Sequence, residues 1–114
     1  MTTVHVTRRA GVVYRIKLQG HSGYAEYGED IVCAAITSAV RYAEIMLNDI
    51  LDQNVQFIVD SETSSIAFTR TDSFNADAEN IAGVAVFEGF LSYMKQLSAE
   101  YPDYLNVLEV QQDA

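Results

Sequence analysis

"TVHVTRRAGVVYRIKLQGHSGYAEYGEDIVCAAITSAV", residues 3 to 40, carries the change of period that decides the fold. Its first half, "TVHVTRR" and "GVVYRIKLQG", alternates apolar with polar residues, the period of a half-buried strand. The Ala10-Gly11 step between the two runs closes a hairpin, with Gly11 free to take positive φ. From Asp30 to about Leu51 the period becomes helical, and Val32, Ile36, Val40, Ala43, Leu47 and Ile50 fall on one face. Ile31, Ala34, Ala35, Tyr42 and Ile45 populate much of the opposite side, leaving only a polar strip at Thr37, Arg41, Glu44 and Asn48. A helix apolar on two sides is expected to touch a sheet and a second element.

Downstream, "NVQFIVD" and "SSIAFTRT" read as two further strands joined by a polar turn around Ser61 to Ser64. A second helix is expected from near Asp77 to about Glu100, with Val84, Phe87, Leu91 and Met94 as its stripe and Val86, Phe90, Tyr93 and Leu97 widening it. Gly83 and Gly89 cost this helix about 1 kcal/mol each in propensity, which close backbone packing would explain. Pro102 ends the helix, and "YLNVLEV" is a last strand. The order β-β-α-β-β-α-β predicts an α+β fold, two helices packed on one face of a mixed or antiparallel sheet of about five strands. The 114 residues fit one domain, 1–114.

Sixteen acids against seven Lys plus Arg give a net charge of −9, which argues against direct nucleic-acid binding and is compatible with a basic protein partner. Arg8 and Arg9 alone form no phosphate-binding patch. No uninterrupted apolar run reaches the roughly 18 residues that span a bilayer, and the N-terminus lacks the apolar core of a signal peptide. A single cysteine forms no internal disulfide, so a cytoplasmic location is expected.

That cysteine sits at a chemically favourable place. With Asp30 as N-cap, Cys33 is the third residue of the first helix, beside unpaired N–H groups and the positive end of the dipole. Both favour a thiolate, and the same N–H groups are candidates to hold an oxyanion. Cys33 lies at the edge of the apolar stripe, next to Thr37, as a nucleophile requires; the competing reading is a small buried hydrophobe. His21, at the exit of the second strand, is placed to act as a general base. The linking "SGYAEYGED" has Gly23 and Gly28 as hinges around Tyr24 and Tyr27 and is a candidate lid. Asp30 reads first as a helix cap, with orientation of His21 by a carboxylate left open. His5, inside the first strand, reads as structural. One cysteine and two separated histidines lack the paired spacing of a zinc site, and neither metal nor cofactor is expected.

The run "GHSGYAEYGEDIVCAAIT", Gly20 to Thr37, closely resembles the signature of the ribosomal-processing cysteine protease family, Prp. That signature is Gly-His-Ala, a glycine-containing flexible loop, then Gly-x-Asp-Ile-Val-Cys-Ala and a hydroxyl residue one turn on. The resemblance extends through the element order to "YPDYLNV" and covers nearly the whole chain. It implies His21 as base and Cys33 as nucleophile, with Gly20, Asp30 and Thr37 in supporting places. Ser22 stands where the family has Ala, and Thr37 where it has Ser. The resemblance further implies an endopeptidase that removes the N-terminal extension of large-subunit ribosomal protein twenty-seven, after an aromatic residue, and a homodimer. The alternative of another class is a non-catalytic dimeric module that binds a basic ribosomal protein or assembly factor, with Cys33 only packing. A third reading, a thiol-dependent hydrolase or redox sensor, keeps the Cys33–His21 pair and changes the substrate.

Overall fold

β1 (Thr2–Arg9) and β2 (Val12–Gln19) pair antiparallel around Ala10 and Gly11. Both turn residues are left-handed, at φ 53° and 80°, as a two-residue type I′ hairpin requires. The computed structural model describes residues 1–26, 29–70 and 78–112. Asp77, where the second helix was expected to begin, lies outside the described residues. α1 (Ile31–Glu44) is followed by a π-helical stretch (Ile45–Ile50), then β3 (Gln56–Asp60), β4 (Ser65–Thr69), α2 (Ala78–Glu100) and β5 (Leu105–Gln112).

The five strands form one mixed sheet in the order β3-β4-β2-β1-β5. All pairs are antiparallel except β1 with β5, which run parallel with Val4 opposite Val107. Alternation sends Val4 and Val6 of β1 and Ile16 and Leu18 of β2 inward, where they join Val32, Ile36, Val40 and Leu47 of the first helical segment and Phe87, Leu91 and Met94 of α2. Phe68 of β4 is the aromatic hub: it stacks on Phe57 at 4.6 Å and meets Phe87 and Phe90 at 5.4 and 5.3 Å. His5, Arg15, Leu108 and Val110 point to the opposite, helix-free face and are exposed. Arg8 ties α2 to the sheet, contacting Glu88 at 2.6 Å and Glu109 at 3.0 Å, while Lys95 holds Glu109 at 2.7 Å. Arg9 lies over the Tyr14 ring at 3.9 Å, so the Arg8-Arg9 pair is divided between two intramolecular roles.

The helical stretch departs from the period in its last turns. Leu51 N–H donates to Met46 O, five residues back, and the Asn48 side chain exchanges two bonds with Val55: Nδ2 donates to its carbonyl at 2.9 Å, and its N–H donates to Oδ1 at 2.7 Å. This fastens the chain as it turns toward β3 and widens the last turns. Ile50, expected on the buried face, is consequently 66% exposed, whereas Leu47 stays sealed. Ile31 to Ile50 is also long and apolar enough to cross a bilayer by length and composition alone. The core helix of a soluble protein passes that test equally, and the buried face of this one is packed in the core. In α2, a Cβ at Gly83 would run into the carboxamide of Gln53, so what crowds this glycine is the end of a side chain and not the backbone that was expected. Gly89 is not crowded: nothing lies within 4 Å of where its Cβ would be.

Candidate active site

The end of β2 and the start of α1 converge on one rim. Gly20 (φ 90°) makes the exit from β2, and a Cβ there would come within 2.7 Å of the Met1 carbonyl oxygen. Its backbone is held at both ends: its N–H donates to Ser64 O at 3.0 Å, and its carbonyl accepts from Thr2 Oγ1 at 3.0 Å. Glycine is therefore required by conformation and by space. The exposed ring of His21 follows, with Nε2 3.0 Å from Ser64 Oγ.

Asp30 caps α1, its Oδ1 accepting the Cys33 N–H at 2.9 Å, so Cys33 is the third helical residue as its spacing predicts. The other carboxylate oxygen accepts from the buried Ser22 hydroxyl and from Tyr24 N–H at 3.2 Å. One side chain thus fastens both ends of the loop. Asp30 makes its bonds within its own loop and helix, while Ser64 supplies a side chain that meets His21. Partial burial pushes the Asp30 carboxyl up, but hydrogen bonds from the Ser22 hydroxyl and the N–H groups of Cys33, Ala25 and Tyr24 outweigh it and hold the group below the usual carboxylate range.

A folded-state value below the unfolded one means stability that is present above the unfolded value, near 4, and lost as pH falls through the folded value. We expect Asp30→Asn, which keeps a capping oxygen, to flatten the acid limb of the stability curve. Thermal midpoints of both proteins between about pH 2 and 6 check this; an unchanged acid limb would count against it.

Cys33 is half-buried and reaches the surface. Two grooves meet at it. One, of about 690 Å³, is lined by Ser22, Gly23, Asp30, Thr37 and Arg41. The other, of about 350 Å³, is lined by Leu18, Ile36, Val59, Ser64 and Ile66. His21, Cys33 and Thr37 border both. The structure therefore brings together His21, Cys33, Thr37, Asp30 and Gly20, the last lining the second groove. Tyr24 packs edge-on against Tyr101 and Tyr104 at 5.6 and 5.2 Å, pinning the early loop to the turn before β5. Tyr27 and Gly28 lie outside the described residues. The expectation that the first-turn N–H groups serve an oxyanion needs correction for two of them: Cys33 N–H is donated to the Asp30 side chain and Ala34 N–H to the Asp30 carbonyl.

The profile of the cysteine protease Prp family matches residues 1–106. The chain belongs to the cysteine protease Prp family. As a Prp-family member it is a cysteine protease. Its fold recurs in SMU.848 from Streptococcus mutans, which is 25% identical over 98% of this chain and 96% of that one, with a TM-score of 0.82. It recurs also in an essential ribosomal processing protease Prp from Staphylococcus aureus in complex with a covalently linked product peptide, 20% identical over 96% and 100% of the two chains, with a TM-score of 0.84. The same Staphylococcus aureus protease in complex with a substrate peptide gives 19% identity, coverage of 98% and 100%, and a TM-score of 0.74. No match is found among curated protein sequences.

Sequence reasoning missed Ser64. The polar turn that contains it was legible, but nothing in "DSETSS" separates a residue that faces the site from an ordinary turn residue.

Proposed function

We propose that the chain is an endopeptidase that removes the N-terminal extension of large-subunit ribosomal protein twenty-seven, with Cys33 as nucleophile and His21 as general base. One observation carries this reading: a surface-reaching thiol on the first turn of a helix shares with an imidazole the rim between two grooves. A peptide laid from one groove into the other would cross that rim with its backbone over the sulfur.

His21 takes the Cys33 proton, and the thiolate forms a bond to the scissile carbonyl carbon. The C–N bond breaks as imidazolium gives its proton to the departing amine. Water then attacks the thioester, His21 accepts a proton from it, and the carboxylic product and free thiol are released. The relatives described as ribosomal processing proteases support the substrate class, and a net charge of −9 favours capture of a basic ribosomal protein. The reaction would take place in the cytoplasm and calls for no cofactor and no contact with nucleic acid or membrane. Intact-mass measurement after incubation with the extended ribosomal protein tests the reading: loss of the extension at one bond is expected, and a substrate left whole would refute it.

We also propose a homodimer closed over the groove of about 940 Å³ between α1 and α2, where Ala39, Tyr42, Met46, Ala82, Val86 and Phe90 form an apolar lining. Gly89 borders it with open space at its Cβ position. Gly89→Arg is therefore expected to stay folded and to sediment as a monomer where the unmodified chain sediments as a dimer. Identical sedimentation of the two proteins would defeat the placement of the interface.

A further inference from the structure

We propose that Ser64 is a positioning residue that sets the ring of His21 for exchange of a proton with Cys33, an inference that rests on the Cys33–His21 reading above. Ser64 ends the β3–β4 turn and makes two contacts with consecutive residues of the site: its carbonyl accepts from Gly20 N–H at 3.0 Å, and its hydroxyl lies 3.0 Å from His21 Nε2. Both partners are more than forty positions away in sequence, so the pairing depends on β2 and β4 lying side by side, with Gln19 opposite Ser65.

The turn is built to hold that residue still. Asp60 Oδ1 accepts the N–H of Glu62 at 3.0 Å and of Thr63 at 3.4 Å, and the hydroxyls of Thr63 and Ser65 meet at 2.8 Å. Ser64 itself has φ 51°, a left-handed conformation that glycine and asparagine take more readily. Serine at this place gives up conformational ease, and what it adds over glycine is the hydroxyl on His21.

The contact has a chemical direction. With Nε2 engaged by Ser64, Nδ1 is the ring nitrogen left to serve the sulfur. A hydroxyl oxygen that accepts Nε2–H favours the imidazolium formed when the thiol ionises. It also restrains an exposed ring that would otherwise rotate. The charged groups that border the same two grooves are Asp30 and Arg41 on one side and Asp60 at the end of β3 on the other, and all three are retained in the variants below.

Two substitutions separate the hydroxyl from the turn. Ser64→Gly accommodates φ 51° without steric cost and removes the hydroxymethyl group with its hydroxyl; Ser64→Thr keeps the hydroxyl in a less favourable backbone. On the extended ribosomal protein, Ser64→Gly should lower kcat about tenfold, the scale of one hydrogen bond to a charged group, with KM changed less than about twofold and the thermal midpoint not reduced. Its Cys33 should alkylate with iodoacetamide along a curve displaced to higher pH. Ser64→Thr should restore the alkylation curve even if its thermal midpoint falls. Unmodified kcat and alkylation in Ser64→Gly, while His21→Ala is severely impaired and Cys33→Ala is inactive, would overturn the role of Ser64 alone. Cleavage at an undiminished rate in His21→Ala would overturn the dyad beneath it.

Discussion

Cys33→Ala is expected to fall in kcat by a factor on the order of 10⁶, the scale seen when a protease loses its nucleophile, and to remain folded. The activity should vanish because no second thiol exists in the chain, and an alanine methyl cannot form an acyl intermediate. The fold should persist because Asp30 binds the backbone N–H of residue 33, not its sulfur. Alanine is also a strong helix former, and the half-buried thiol leaves only a small void. Circular dichroism and a thermal midpoint close to that of the unmodified chain check the second half, and intact-mass assay of the ribosomal substrate checks the first. Processing by a thiol-less, folded protein would be fatal to the peptidase mechanism. The double variant Cys33→Ala/His21→Ala should be no worse than the single one, since residues that act as a unit are not additive.

His21→Ala should lower kcat about 10³- to 10⁴-fold at neutral pH and should leave a residue of activity that climbs with pH. A free cysteine is a few per cent thiolate at neutrality and is intrinsically nucleophilic, so loss of the base is less complete than loss of the sulfur. What remains should rise as the thiol ionises, because no imidazolium is left to favour the anion. Protonation of the departing amine is lost too, which keeps activity low even at alkaline pH. The measurements are the pH dependence of kcat and of Cys33 alkylation in the same protein. Rates equal to those of the unmodified chain at pH 7 would remove His21 from the chemistry. Because its side chain is exposed, the thermal midpoint should stay close to that of the unmodified chain, which separates the loss of rate from folding.

The places of those two residues were legible in the sequence because residue type and local position mark them. Asp30 followed by an apolar period marks a helix start, and the first-turn place of Cys33 follows from counting. The hairpin was legible for the same local reason, period two on each side of Ala10-Gly11. Features that depend on distant pairing were not. The parallel union of β1 with β5 joins residues a hundred positions apart, and no periodicity encodes which edge the last strand takes. The π-helical stretch escaped because the pair of hydrogen bonds between Asn48 and Val55 that accompanies it is made by a residue that otherwise looks like part of a polar strip. Ser64 escaped because serine is an ordinary turn residue, and only the sheet reveals that its turn folds back on His21. The free edge of Gly89 likewise resembles the crowded Gly83 until the neighbours of each are seen.

The Asp30 carboxylate grips residues on both sides of the loop, Ser22 and Tyr24 before it and Cys33 after it. Such a clasp makes the spacing from Ser22 to Ala25 and from Asp30 to Cys33 sensitive to chain length. An engineered insertion within either stretch should therefore draw a donor away from the carboxylate and slacken its hold on the start of the helix.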